Sequence, residues 1–392
     1  MKIKAGIIGC GGIANNKHLP AIRKVDRMEM VAFCDIIRER AEKVAAEYGA
    51  PGARVYTDYK ELLAEELDVV YVCTPNRSHS FITVDALHSG KHVMCEKPMA
   101  INYTEGKKML DAARETGRLL TIAYQNRYRP DSQFLKAECE EGRLGEVYYA
   151  KAKALRRRAV PTWGVFLNAE EQGGGPLVDI GTHALDLTLW TMDNYKPKYA
   201  VGSVYHKLNG DTDQGNAFGN WDPEAFTVED SAFGFVVMEN GATVVLESSW
   251  ALNTLDVNEA KTVLCGTKAG ADMEDGLRIN GVRHGRQYVE KPQLDAGSVA
   301  FFDGAQLDAA DLEQMVFADA VEGKGELTVK PEQALTVTRI LDAIYESART
   351  GRPVFFFGRR NRNEAGCYDS LPEFAFSGRG VQIFEGTGRA AG

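Results

Sequence analysis

No apolar run in this chain is long enough to span a bilayer, so no transmembrane helix is expected. The first residues, Met1-Lys2-Ile3-Lys4-Ala5-Gly6-Ile7-Ile8-Gly9, lack the apolar core and small-residue cleavage site of a secretory signal. They read as a buried strand instead. Basic charge is the scarcer kind: 46 Lys and Arg stand against 55 Asp and Glu, a net charge of −9. That balance argues against a nucleic-acid or anionic-membrane partner, since both need a basic surface. None of the seven cysteines (Cys10, Cys34, Cys73, Cys95, Cys139, Cys265, Cys367) lies in a C-x-x-C spacing, which disfavours a zinc ribbon or a dithiol redox pair. An odd number of widely spaced thiols fits a reducing, cytoplasmic setting. Internal repeats and low-complexity tracts are missing too.

What is present is globular in character. The chain has 392 residues, 44% of them apolar and 26% charged, enough for two domains with their own cores. Residues 1–125 alternate apolar runs with helix-like segments. Strands are expected at Ile3–Gly9, Met28–Asp35, Asp68–Cys73, His92–Cys95 and Leu119–Tyr124. Helices are expected at Gly12–Lys24, Arg38–Tyr48, Ser80–Ser89 and Tyr103–Thr116. Near-continuous apolar strands separated by helices imply an α/β fold, a doubly wound parallel sheet covered on both faces. After Gln125 the pattern changes. A helix is expected at Asp131–Glu141 and an alternating strand over Glu146–Arg158. A loop over Pro161–Gln172 leads to an amphipathic helix at Asp179–Met192. Long strands are expected at Lys198–Leu208, Glu229–Glu239 and Ala242–Leu252, the last two joined by the hairpin dipeptide Asn240-Gly241. Lys261–Cys265 and Ala271–Ile279 read as further strands, and Asp308–Val321 and Pro331–Thr350 as helices. Reverse turns between strands point to an α+β domain with a mostly antiparallel sheet. The expected division is 1–125, 126–355 and a tail over 356–392, with helix 331–350 free to pack back on the first domain.

Gly9-Cys10-Gly11-Gly12-Ile13-Ala14 matches G-x-G-x-x-G/A between the first strand and the first helix. Gly9 allows a tight turn, Gly11 and Gly12 a close backbone approach to a pyrophosphate, and Ala14 close packing of helix on strand. Asp35 ends the second strand about 20 residues further on, where a carboxylate meets the ribose hydroxyls of NAD. It disfavours a 2′-phosphate, while nearby Arg38 leaves NADP open. Thr74-Pro75-Asn76 ends another strand and serves either the cofactor or plain turn chemistry. His18 and His79 read as helix-start or surface residues. Cys95-Glu96-Lys97-Pro98 follows the His92 strand, placing Lys97 at the crevice edge.

In the second half, Gly173-Gly174-Gly175 precedes Asp179, His183 and Asp186, spaced i, i+4 and i+7 and so on one helix face. A carboxylate one turn before a histidine can orient the imidazole and raise its basicity for taking a hydroxyl proton. The same spacing serves a buried hydrogen-bonded pair without chemistry. No cysteine or second histidine at helix spacing supports a metal. Among Arg156-Arg157-Arg158, strand alternation sets Arg157 opposite the other two. Trp163 can stack on a sugar ring or plug an interface. Asn126 and Arg127 lie where two domains meet.

Together, Gly9–Ala14, Thr74-Pro75-Asn76, Glu96-Lys97-Pro98 and Asp179-x-Gly181-x-His183-x-x-Asp186 resemble the Gfo/Idh/MocA oxidoreductases over roughly residues 3–350. The resemblance implies an N-terminal Rossmann domain and a C-terminal α+β domain on a large open sheet, one face of which often makes a dimer or tetramer contact. It implies oxidation or reduction of a carbinol carbon of a sugar or polyol with NAD(P). Lys97 is then the catalytic lysine, His183 the acid or base, and Asp179 a carboxylate that binds substrate or orients the histidine. Gly9, Gly11, Gly12, Ile13, Ala14, Asp35, Arg38, Thr74, Pro75, Asn76, His79, Glu96, Lys97 and Asn126 form the expected cofactor set. Lys97, Arg127, Arg157, Trp163, Asp179 and His183 form the expected substrate set. The leading reading is an NAD-dependent dehydrogenase of a sugar, glycoside or inositol. The alternatives are an NAD-dependent glycosidase working through transient oxidation at carbon 3, and a non-enzymatic NAD-binding regulator.

Overall fold

Six short apolar strands pair in parallel in the first half of the chain: β1 (Ile3–Ile8), β2 (Met28–Cys34), β3 (Arg54–Tyr56), β4 (Val69–Val72), β5 (His92–Cys95) and β6 (Leu120–Ile122). The computed structural model describes residues 2–294 and 308–356. Strand order is β3-β2-β1-β4-β5-β6, so the chain changes winding direction between β1 and β4. The carboxyl ends of these two strands therefore flank the crevice where ligands of such sheets bind. All four residues of β4 are buried, as befits a strand covered on both faces. β3 is absent from the expected set, and the strands expected third to fifth are the fourth to sixth. Three residues at a sheet edge, beginning with an exposed arginine, make no apolar run to announce it.

The second sheet holds β7 (Val147–Leu155), β8 (Pro197–Tyr205), β9 (Ser231–Met238), β10 (Thr243–Ser249), β11 (Asn258–Gly266), β12 (Ala269–Asp272), β13 (Arg278–Arg283), β14 (Arg286–Glu290) and β15 (Val354–Phe355). Its order is β14-β13-β12-β11-β7-β10-β9-β8-β15. Only β7 and β10 pair in parallel; the other neighbours are antiparallel. The Asn240-Gly241 turn joins β9 to β10, with Gly241 at φ +89°. The single strand expected over Ala271–Ile279 is two strands, broken where Gly276 takes φ +70°. β14 is a further addition. Its hairpin turn, His284-Gly285, has both residues at positive φ, and histidine is a weak signal for that geometry.

The helix after the triple glycine departs most from expectation. It opens with one widened turn at Leu177–Gly181 and runs on as an α-helix over Thr182–Met192. Every residue from Thr182 to Thr191 is buried, so the helix is not amphipathic. It lies against β7 and β11 on one side and the helices Pro130–Glu140 and Pro331–Thr350 on others. Such enclosure demands that its polar groups be paired. Thr188 Oγ1, for example, bonds Thr262 Oγ1 on β11 at 2.9 Å.

Two late helices return toward the first sheet. Ala309–Val321 places Phe317 and Ala318 in one apolar cluster with Ile7, Val69 and Tyr71, and Gln314 accepts from the Tyr71 hydroxyl at 2.8 Å. Pro331–Thr350 sets Leu335 against Gly106 of the first half and Ile344 against Gly202 and Gly234 of β8 and β9. A Cβ at Gly202 would stand 2.5 Å from Ile344, so glycine lets helix and sheet close up there. No helix among the described residues is long and apolar enough to cross a membrane. The tail expected over 356–392 lies, apart from Phe356, outside the described residues.

Candidate active site

At the end of β1 the glycine loop has a shape only glycine accepts. Gly9 sits at φ +92°, and a Cβ there would meet the Cys73 carbonyl at 2.6 Å. Asn15, unremarked in the sequence, donates its amide to the carbonyls of Cys10 and Gly11 at 2.9 and 2.8 Å and holds the turn. Gly11 faces open space, a Cβ at Gly12 would meet only Asn16 Nδ2 at 4.0 Å, and Ile13 is exposed beside them. Ala14 is buried, as expected of the residue that seats the helix. Asp35 accepts from the Cys10 and Ile37 amides at 2.9 Å each and keeps one lone pair on each oxygen for a ribose hydroxyl. A loop open at two glycines, a helix start and a half-satisfied carboxylate together fit a dinucleotide. Arg38 is exposed and bonds Glu42 one turn on, at 2.8 Å.

At the end of β5, Lys97 reaches toward the second sheet. Its Nζ donates to Asp179 Oδ1 at 2.8 Å and to the Asp179 carbonyl at 2.9 Å. The other carboxylate oxygen, Oδ2, accepts from Trp250 Nε1 at 3.0 Å. Asp179 makes no hydrogen bond to His183; its side chain is held instead by Lys97 on one oxygen and Trp250 on the other. Burial works against its charge, but Lys97 outweighs it and holds the carboxyl below its ordinary range. His183 stands one turn on, edge-on to the Tyr124 ring, and its Nδ1 is buried without a hydrogen-bond partner. Burial, aided by the Lys97 charge, pushes its pKa down to about 3, so the ring is neutral at ordinary pH. The Tyr124 hydroxyl bonds Thr182 at 2.8 Å and fixes that wall.

Several expected residues serve the frame instead. Arg127 is fully buried and cannot touch substrate. Its guanidinium grips Asp186 at 2.9 and 2.6 Å and also bonds Thr328 O, Gln333 and Tyr195. Glu96 is likewise internal. Lys17 and His18 meet one oxygen at 3.0 and 2.7 Å, and the Lys97 amide donates to the other at 3.0 Å. Burial opposes its charge, yet Lys17 and His18 hold the carboxyl well below its ordinary range. Lys17 also pairs with buried Glu313 at 3.0 Å. His18 and His79 are not surface residues; both are fully buried. His79 lies 2.8 Å from Pro98 O and 2.9 Å from Thr74 O, stapling the loops after β4 and β5. Asn76 is buried and donates to Gln172 O at 3.0 Å, while Thr74 accepts from Ser78 and Pro75 starts the helix Asn76–His88. Asn126 is half-buried on the short turn after β6.

The three arginines follow the end of β7. Arg157 is exposed. Arg156 is the one whose charge reaches Asp179, and it grips Glu259 through two bonds of 2.7 Å. Trp163 is half-exposed and rests edge-on against Phe166 and Phe218. The triple glycine serves packing: a Cβ at Gly174 or Gly175 would strike Tyr345 or the Glu229 carbonyl, at 2.1 and 2.3 Å. Sequence reasoning missed Trp250, Arg156, Asn15 and Lys17. Trp250 follows β10 directly, and nothing local marks it as a carboxylate partner.

A family model for an oxidoreductase family with an NAD-binding Rossmann fold matches residues 3–124, and the model for its C-terminal alpha/beta domain matches residues 136–356. D-glucoside 3-dehydrogenase of Escherichia coli strain K12 is 37% identical over 353 residues, covering 90% of this chain and 97% of that protein. Inositol 2-dehydrogenase of Salmonella paratyphi B is 28% identical over 199 residues, 50% of this chain and 56% of that protein. Among solved structures, levoglucosan dehydrogenase in complex with NADH superposes with a TM-score of 0.76 at 20% identity, covering 91% of this chain and 99% of that one. Aldose-aldose oxidoreductase from Caulobacter crescentus, complexed with glycerol, gives 0.74 at 23%, covering 91% and 100%. At such identities the structures share the fold.

Proposed function

Because the chain belongs to the Gfo/Idh/MocA oxidoreductase family and carries its NAD-binding domain, we propose that it oxidises a secondary hydroxyl of a sugar, glycoside or inositol, a hexopyranoside being the favoured substrate. The observation that carries this reading is the junction of Lys97 with Asp179, with neutral, unpartnered His183 one turn away. The full-length likeness to a D-glucoside 3-dehydrogenase supports a glycoside over an inositol.

Residues Gly9 to Ala14 and Asp35 would hold NAD, which when bound accepts the hydride from the carbinol carbon. The chain's own residues manage the proton and the charge. His183, neutral and with its buried Nδ1 unpartnered, is the group placed to take the hydroxyl proton. The Lys97 ammonium, held by Asp179 at 2.8 Å, stabilises the negative charge that gathers on the oxygen as the proton leaves. Asp179 fixes the ammonium through one oxygen and is itself fixed by Trp250 through the other, so neither group reorganises during reaction. Segment 1–125 is the proposed cofactor-binding part and 126–355 the substrate part. Exposed Val201, Tyr205 and Phe235 on neighbouring strands β8 and β9 support homo-oligomer formation. The described cysteines are all free thiols, which supports a cytoplasmic setting.

The test is a screen for NADH formation over glycosides, aldoses and inositols. The expected result is NADH from hexopyranosides, formed far more slowly by Lys97→Ala. Tight NAD binding with no carbinol oxidised would overturn the reading.

A further inference from the structure

A cleft lies between two loops that the proposed reaction does not use. Residues 160–168 and 216–227 enclose about 630 Å³, lined by Trp163, Asn168, Asn220, Trp221, Asp222 and Glu224 among others. The loops are stitched together. The Asn216 side chain bonds both the amide and the carbonyl of Val160, at 2.8 and 3.0 Å. Thr162 Oγ1 bonds Phe218 O at 2.6 Å. Thr227 bonds Leu167 O through its amide and its hydroxyl, at 2.9 and 3.0 Å. Trp221 forms a buried floor, its indole N–H held by Asn209 O at 2.9 Å. Trp163 keeps 53% of its surface exposed, yet Phe166 and Phe218 meet it edge-on at 5.8 and 4.9 Å and fix its plane.

An oriented, exposed indole is a stacking platform for the C–H face of a pyranose ring. Asn168, Asn220, Asp222 and Glu224 around it offer the acceptors and donors that sugar hydroxyls need. No lysine or arginine lines the cleft, and Asp222 and Glu224 would repel a phosphate or uronate. Beneath the cleft, buried Phe226 packs against both Trp221 and Trp250, and Trp250 holds Asp179, so the cleft floor is continuous with the wall behind the reacting groups.

We propose that this cleft binds an uncharged pyranose, the second ring of a glycoside whose first ring is oxidised at Lys97. The proposal rests on the glycoside reading above and deepens it.

The test compares maltose with methyl glucoside, in kcat/KM for NADH formation and in saturation-transfer NMR on the NADH-loaded protein, where no oxidation occurs. The maltose preference should fall about tenfold in Trp163→Ala, and by less in Asp222→Asn, which keeps the acceptor for the Glu224 amide. Saturation of the second maltose ring should vanish in Trp163→Ala, and glucuronic acid should show no Trp163-dependent signal. An unchanged preference in both variants, with NAD binding intact, overturns the cleft and leaves the dehydrogenase reading standing. Trp163-dependent saturation by maltose without oxidation of any carbohydrate does the reverse. Equal saturation of the second maltose ring in the wild type and in Trp163→Ala overturns the cleft outright.

Discussion

Two ion pairs tie the end of the first sheet to one buried helical segment, and they have opposite characters. Lys97 meets Asp179, and Arg127 meets Asp186, seven residues further along. Arg127 and Asp186 have side-chain exposures of 0% and 1%, and Arg127 has five hydrogen bonds. All five guanidinium donors are spent, and none is left for a ligand. Lys97 and Asp179 keep 17% and 13% exposure, and the two Lys97 bonds end on one residue. An ammonium has three donors, so one is left over, and His183 beside it has an idle nitrogen. What sets the proposed reacting pair apart from the internal one is residual hydrogen-bonding capacity together with its partial exposure, rather than residue type.

This contrast can be broken by experiment. Lys97→Ala is expected to lower turnover about a thousandfold while NAD still binds, read by steady-state kinetics and a cofactor titration. Near-normal turnover would show that the unsaturated pair is as structural as the saturated one. Arg127→Met should cost about 3–5 kcal/mol in urea unfolding, because Asp186 is left buried and uncompensated. The double variant Arg127→Met/Asp186→Leu should recover much of that loss; equal instability of both would mean that packing, not charge, is at stake. Asp35→Ala probes the half-satisfied carboxylate beside the glycine loop. The preference for NAD over NADP should fall about tenfold, near 1.4 kcal/mol, and an unchanged ratio would show that Asp35 only shapes the loop.

The smallest effect concerns His183. Its pKa is about 3 in the folded chain against an ordinary 6.5, so between these values the unfolded state binds the extra proton. Folded-state stability is therefore full above pH 6.5 and falls as the pH drops toward 3. The wild type should lose about 1 kcal/mol more than His183→Gln between pH 7.5 and 5.5, measured by urea titration at each pH. Identical losses would mean that His183 protonates in place.

The glycine loop was legible because each of its requirements is local: a positive φ, a small residue, a helix start. The strands of the first sheet were legible for a related reason, since burial on both faces makes them continuously apolar. β3 and β14 escaped, being short edge strands with little buried surface to mark them. Arg127 and Arg156 show the limit more sharply. Domain position pointed to Arg127, and strand alternation set Arg157 opposite Arg156 and Arg158 without deciding which of them faces the pocket. Folding instead wraps Arg127 in partners and brings the Arg156 charge within reach of Asp179.

By itself the sequence determined the two-sheet plan, the dinucleotide loop and the residue types brought to the crevice. Those follow from dihedral preferences and apolar period, which neighbouring residues set among themselves. Tertiary structure alone decided which charges are spent and which are free. Asp179 turns to Lys97 and Trp250 rather than to the histidine on its own helix, and Glu96 turns inward to Lys17 and His18. Those pairings join residues far apart in the chain, and the energy of each depends on the solvent that folding removes.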